Sequence, residues 1–315
     1  MRFMTKKIMT PSISFIILNY NGKYLTENCI NSLKNAIEYS NINEYEIIVV
    51  DNGSSDGSVE YLKEKFFDLK FIDIGENKFI TSYNIGVINS KFEWVFLLNN
   101  DMLFEKNFLI PIIEDINNIN EKIFAIGTKL IKFDGTFEKG SNIPIYKYGL
   151  IWLKSVDSNI LSKTFYIGTH GIFRKEIFLK LRGFDEIYKP FYFEDVDLCY
   201  RAQKYGYEIY YEPRSIIYHK HMGTIRNFFE KKYILKVFSR NRLIFHIKNL
   251  TSKKFILKFY FHLPILLLSS IFVNKSYYIS AFIDILKIYK EIIRKKLIEK
   301  EKFVINDEEI ISKFK

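Results

Sequence analysis

The chain has 315 residues, of which 48% are hydrophobic and 26% charged, an ordinary globular balance that excludes a disordered or fibrous protein. Six prolines and 14 glycines leave no long flexible linker, and the length suits about two domains or one large domain with an appendage. The formal charge of +11 invites a nucleic-acid reading, but its distribution argues otherwise. Residues 1–225 carry 27 basic and 28 acidic side chains, whereas residues 226–315 carry 20 and 8. The expected organisation is therefore a near-neutral unit over 1–225 and a basic, amphipathic helical region over 226–315.

Along the first hundred residues, short apolar runs alternate with helical periodicity. Residues 12–19, 46–51, 69–74 and 94–99 read as strands buried on both faces of a parallel sheet. Between them, 24–39, 58–66 and 81–89 have helical spacing. This β-α-β series predicts a doubly wound α/β sheet that binds ligands at the carboxyl ends of its strands. Three of those ends are polar: Asn19 with Asn21, Asp51 with Asn52, and Asn99 with Asp101. From 123 to 217 the pattern is mixed, with strands expected at 124–133 and 165–173 and helices near 175–181 and 195–205. Cys29 and Cys199 form no CxxC pair and read as small buried hydrophobes in a reducing compartment. The N-terminal ten residues lack the apolar core of a signal peptide, so a cytosolic protein is expected.

Several clusters can carry chemistry. The run DNGSSDGS from Asp51 does not satisfy an EF-hand, because Gly53 and Ser55 occupy ligand positions and Leu62 the twelfth. It serves equally as a turn and helix cap or as a strand-end acid that accepts hydrogen bonds from a nucleotide. Asn99 and Asp101, two apart at a strand end, can offer oxygen ligands to a divalent cation; a plain strand-to-helix turn is the alternative. Glu194, Asp195 and Asp197 crowd the start of a helix beside Phe191, Tyr192 and Phe193. Such crowding raises a carboxylate toward general-base duty, while Asp197 is expected only to complement the helix dipole. His219 and His221 share one face of a strand-like segment and both can reach a metal.

Taken in order, SFIILNYNG, IIVVDNGSSDGS, YNIG, FLLNNDM, GFDE, FEDVDLCYRAQKYGY and HKHMGT resemble the family 2 inverting glycosyltransferases of GT-A fold, especially their rhamnosyltransferase-like branch. The resemblance covers roughly residues 12–225. It implies a GT-A doubly wound mixed sheet with a C-terminal helical extension. It also implies that Asp51 is the nucleotide-binding acid, with Asn19 and Asn21 framing the base. Asn99 and Asp101 are similar to the DxD element; Asn stands at its first position, which makes Asp101 the principal metal ligand. Glu194 and Asp195 match the ED motif, whose Asp is the catalytic base, and His219, rather than His221, completes the metal site. Mg²⁺ or Mn²⁺ is the implied cofactor, and a dTDP- or UDP-sugar the implied donor. Two departures stand out. The glycine usual before YNIG is absent from ENKFI, which leaves Lys78 as a phosphate contact, and His170 replaces an expected small residue and is read as packing.

Residues 259–273 contain no formal charge; as a helix they span about 22 Å, short of the ~30 Å hydrocarbon core. Lys254, Lys258 and Lys275 flank them, and Arg294 to Lys296 add further cations. A buried helix is one reading. The other is an interfacial helix on the inner face of a membrane, suited to a glycan or lipid-linked acceptor in surface polysaccharide synthesis. A sugar nucleotidyltransferase is the alternative enzyme, but the loop after the first strand is NYNG rather than glycine-rich. A non-catalytic sugar-nucleotide or glycan binder is opposed by Asp101, Asp195 and His219, and nucleic acid by the apolar run among the basic residues.

Overall fold

The computed structural model describes residues 10–118, 120–220, 229–272 and 275–314. The apolar runs become β1 (Ile13–Asn19), β2 (Tyr45–Asp51), β3 (Lys70–Asp73) and β4 (Trp94–Asn99). Helices α1 (Lys23–Tyr39), α2 (Ser58–Lys65) and α3 (Ser82–Ile88) connect them. Alternation along β1 serves both faces: Phe15 and Ile17 pack among α1 residues such as Ile30 and Leu33, while Ile16 packs with Val50 and Val87. Gly86 allows α3 to lie flat on the sheet, because a Cβ there would sit 2.6 Å from Ile16 Cγ2. The glycine of YNIG is thus a packing requirement.

The chain continues through β5 (Met102–Phe104), α4 (Leu109–Asn118), β6 (Ile123–Lys132) and β7 (Phe137–Lys139). Strands β8 (Ser141–Lys147), β9 (Leu150–Val156), β10 (Ser162–Lys163) and β11 (His170–Arg174) follow, then α5 (Lys175–Lys180), α6 (Glu194–Lys204) and β12 (Glu208–His219). The main sheet has the order β10-β12-β6-β11-β4-β1-β2-β3, with β5 on β12 and β7 on β6. Its β1 to β4 part is parallel, and β11 inserts antiparallel between β4 and β6. The strand order reverses between β1 and β4, which opens a crevice at their carboxyl ends. This is the expected mixed α/β sheet.

Two local expectations change. The strand over 165–173 shortens to β11, because the Phe165 N–H instead donates to the Asn142 carbonyl at 2.7 Å. Within the mixed stretch, β8 and β9 form a separate antiparallel hairpin turning at Tyr148 and Gly149, both with positive φ.

Beyond 229 the regular elements among the described residues are all helices: α7 (Lys231–Asn249), α8 (Lys253–Phe272), α9 (Tyr277–Lys300) and α10 (Asp307–Ser312). The boundary expected at 225 lies outside the described residues. Helix α8 runs through Pro264 and its 20 residues span about 30 Å, longer than the apolar run alone suggests. The helices dock through an apolar cluster that joins Phe165, Phe193 and Tyr200 to Phe245, Phe255, Phe259 and Ile292.

Buried charge fastens the same contact. Asp197 is fully buried, with Arg201 Nε at 2.7 Å, Lys248 Nζ at 2.9 Å and Asn249 Nδ2 at 2.7 Å. It does more than complement the α6 dipole: it is the acceptor to which α7 is tied. Lys248 and Lys295 also reach Asp185, and Lys204 pairs with Asp307. Part of the C-terminal basic excess is therefore spent inside the molecule.

Candidate active site

The parallel register sets Asn19 beside Asp51 and places Leu18 opposite Asn99, so three polar strand ends meet at the crevice. Asn19 is fully buried; its Nδ2 donates to Asp51 Oδ1 at 2.6 Å, and its Oδ1 accepts from Thr26 and Asn100. Asp51 also accepts from the Ser54 hydroxyl and N–H, both at 2.7 Å. Asn21 is exposed in the left-handed region, φ 49°, and its Oδ1 accepts from the Ser55 N–H. These residues knit the loops after β1 and β2 into one support. Asn52 extends it, accepting from Ser82 and Lys78 N–H and donating to the Phe79 carbonyl.

A cleft of about 310 Å³ opens at this support, with Tyr20, Phe79, Asp101, Thr169, Tyr192 and Glu194 in its lining. Among the described residues, Asn52, Asn99, Asp101 and Glu194 belong to its walls, whereas Asn19, Asn21, Asp51, Lys78, Asp195 and His219 do not. Asn99 Oδ1 is engaged by the Tyr83 hydroxyl at 2.9 Å and the Thr169 hydroxyl at 3.0 Å. Lys78 directs its ammonium to Glu76 at 3.0 Å.

Asp101 and His219 come together. The last three residues of β12 pair with β5, the strand that follows Asp101 directly, which brings Asp101 Oδ1 within 3.2 Å of His219 Nε2. On the ring's other side, Nδ1 lies 3.0 Å from Glu138 Oε1. Burial alone would lower the His219 pKa, but the hydrogen bonds to Asp101 and Glu138 outweigh it and push it up to about 9. Among the described residues no three metal-ligating side chains converge. A carboxylate and an imidazole do, a donor set that fits a divalent cation taking its other ligands from diphosphate oxygens and water. His221 lies outside the described residues.

The ED pair begins α6. Tyr192 and Phe193 precede it with φ of 74° and 73°, a costly pair of left-handed aromatic residues held by packing against Phe238 and Phe245. Burial pushes Glu194 well above the usual carboxylate range, and the neighbouring Asp195 adds to the shift. Burial likewise raises Asp195, against the opposing pull of the Lys139 cation and the Val196 N–H. Lys139 and Glu138 are functional candidates that no motif signalled. Lys139 Nζ stands 4.8 Å from the Tyr166 ring centroid, and the charge of Asp195 helps to keep it protonated despite burial. His170 is buried, as the packing reading expects, and burial followed by the Lys139 charge holds it well below the ordinary histidine range.

Residues 14–182, more than half of the chain, match the family described as glycosyl transferase family 2. The chain belongs to this family. Over 210 residues it is 27% identical to poly-beta-1,6-N-acetyl-D-glucosamine synthase of Staphylococcus epidermidis, a match covering 65% of this chain and 48% of that protein. The chain thus spans about half the length of the curated relatives it matches. Among solved structures, GalNAc-T7 with UDP, GalNAc and Mn²⁺ superposes with a TM-score of 0.55 at 15% identity, covering 72% of this chain and 48% of that one. S. aureus TarS in complex with UDP gives 0.53 at 18% identity, covering 79% of this chain and 69% of its own. These likenesses establish a GT-A-like fold for this member of glycosyl transferase family 2.

Proposed function

We propose that this family 2 member is an inverting glycosyltransferase of surface polysaccharide synthesis that moves a sugar from a nucleoside-diphosphate donor to a hydroxyl of a glycan or lipid-linked acceptor. The observation that carries the reading is one cleft whose lining holds both Asp101, which meets His219 at 3.2 Å, and Glu194, the residue directly before Asp195. The donor is read as a UDP- or dTDP-sugar; the UDP named with two of the similar structures supports the first. The order of the sequence motifs supports the rhamnosyltransferase-like branch.

In this reading Asp195 takes the proton of the acceptor hydroxyl as that oxygen attacks the anomeric carbon. The bond from that carbon to the diphosphate oxygen breaks on the opposite face, so one displacement inverts the centre. Burial raises Asp195 above the usual carboxylate range, which suits it to take up the proton. Glu194 shapes the wall beside it, while Asp51, Asn19 and Asn21 hold the loops against which the nucleotide would lie. Lys78 would contact phosphate only after leaving Glu76. Asp101 and His219 would hold Mg²⁺ or Mn²⁺, which supplies positive charge to the departing diphosphate.

We also place the protein at the inner face of a membrane. Leu257, Phe261, Ile265, Leu268 and Phe272 recur at helical spacing on α8 and are all more than half exposed. Exposed Lys253, Lys254 and Lys258 stand at its start, as an anionic interface favours. The deciding experiment offers a nucleotide-sugar panel to the purified chain with Mn²⁺ and a glycan acceptor mixture. Release of nucleoside diphosphate from one donor, lost in excess chelator, is expected. Undiminished transfer in chelator would overturn the metal reading, and no turnover of any donor would overturn the activity.

A further inference from the structure

The proposed reaction uses one nitrogen of the His219 imidazole, yet the structure partners both. Nε2 faces Asp101 at 3.2 Å, while Nδ1 lies 3.0 and 3.1 Å from the two carboxylate oxygens of Glu138. A ring nitrogen that ligates a cation must offer its lone pair. The proton of a neutral imidazole must then sit on the other nitrogen, and whatever accepts it there selects the tautomer.

Glu138 is delivered for that purpose by a short element. It is the middle residue of β7, which pairs antiparallel with β6; β6 in turn pairs in parallel with β12, whose last residue is His219. The histidine therefore lies between two carboxylates delivered by two short strands, β5 and β7, that pair with the neighbouring strands β12 and β6. The three side chains are only 13%, 14% and 17% exposed, so this is not a solvated surface ion pair of negligible worth. Partly burying two carboxylates around one ring is costly unless the geometry has a use.

We infer that Glu138 is a positioning residue: it accepts the Nδ1 proton of His219, fixes the ring plane, and presents Nε2 together with Asp101 to a divalent cation. The inference rests on the cation reading above and goes beyond it, since Glu138 touches neither the cation nor the sugar donor. It is not a third ligand, because it occupies the ring nitrogen opposite the one that faces Asp101. The neighbouring Lys139 turns instead to Tyr166, so β7 supports both halves of the site.

The test uses the full chain, Mn²⁺ alone as the probe, and readouts other than turnover. Free Mn²⁺ is followed by electron paramagnetic resonance in wild type, Asp101→Asn, Glu138→Leu and Glu138→Gln. Asp101→Asn should lose binding, and Glu138→Leu should weaken it by about 10- to 100-fold. Glu138→Gln should stay within a few-fold of wild type, because its carbonyl still accepts from Nδ1–H. Imidazole ¹⁵N spectra of the wild type loaded with a diamagnetic divalent ion such as Mg²⁺ should show the His219 proton on Nδ1, a measurement that needs no variant to fold. Wild-type affinity in Glu138→Leu, or a His219 proton on Nε2 in the loaded wild type, would overturn the role. A wild type that transfers sugar but binds no Mn²⁺ would instead remove the cation and this role together.

Discussion

Asp195 illustrates how much of this site is decided by surroundings. A carboxylate at the first turn of a helix is ordinarily stabilised in its charged form, yet burial raises this one. We expect Asp195→Asn to lower transfer to acceptor by roughly 10²- to 10⁴-fold, the worth of a general base. Affinity for the nucleoside diphosphate, measured by calorimetry, should change by no more than a few-fold. Transfer retained within tenfold would move the base elsewhere, with Glu194 the nearest carboxyl. Motif spacing identified the strand-end cluster, but hydrogen-bond partners separate its members. Asn19 and Asp51 spend their polar atoms on the loops, whereas Asp101 lies on the cleft wall.

At the scale of elements, α7 is joined to the β8–β9 hairpin by one buried histidine. The Ile151 N–H donates to His246 Nε2 at 2.7 Å, which requires the proton on Nδ1, facing the Arg242 carbonyl. Burial, reinforced by the Arg242 charge, lowers the His246 pKa from 6.5 to about 3. The folded state therefore refuses a proton that the unfolded chain accepts below pH 6.5. Stability is complete above 6.5 and falls as the pH drops toward 3. The loss by pH 5 should be about 2 kcal/mol from this group. Urea denaturation at pH 7 and pH 5 measures it. His246→Phe should be less stable at pH 7 but show a pH dependence smaller by that amount. An equal dependence in the variant would assign the acid sensitivity to other groups.

For the whole molecule, the basic excess has two destinations. Lys248 and Lys295 hold the helices to Asp185, and Arg242 lies 4.3 Å from the Trp152 ring centroid. Others remain in solvent around the exposed apolar stripe of α8. One face of α8, with Phe255, Phe259 and Leu263, packs inward, so the buried-helix reading holds for that side and the membrane proposal concerns only the other. We predict that the chain co-floats with anionic vesicles, and that the triple change Leu257→Gln, Phe261→Gln and Leu268→Gln lowers vesicle affinity at least ~10-fold. Circular dichroism and nucleotide affinity should stay unchanged, and high salt should weaken the wild-type interaction. Equal flotation of the variant would show that this stripe does not face the bilayer.

The sequence by itself determined the parallel half of the sheet, the polar strand ends, the ED pair and the division of charge. Each of these is local: a buried strand is a continuous apolar run, and a strand end is the polar residue that stops it. Only the tertiary structure decided that Asp101 meets His219, that Glu138 stands behind the ring, and that Asp197 anchors α7. Those contacts join residues far apart in the chain, through strand pairings and buried ion pairs that no period in the sequence encodes. Glu138 in the short β7 and His246 midway along α7 look like ordinary polar residues until the elements around them pack. Their roles follow from what they face, and only packing sets that.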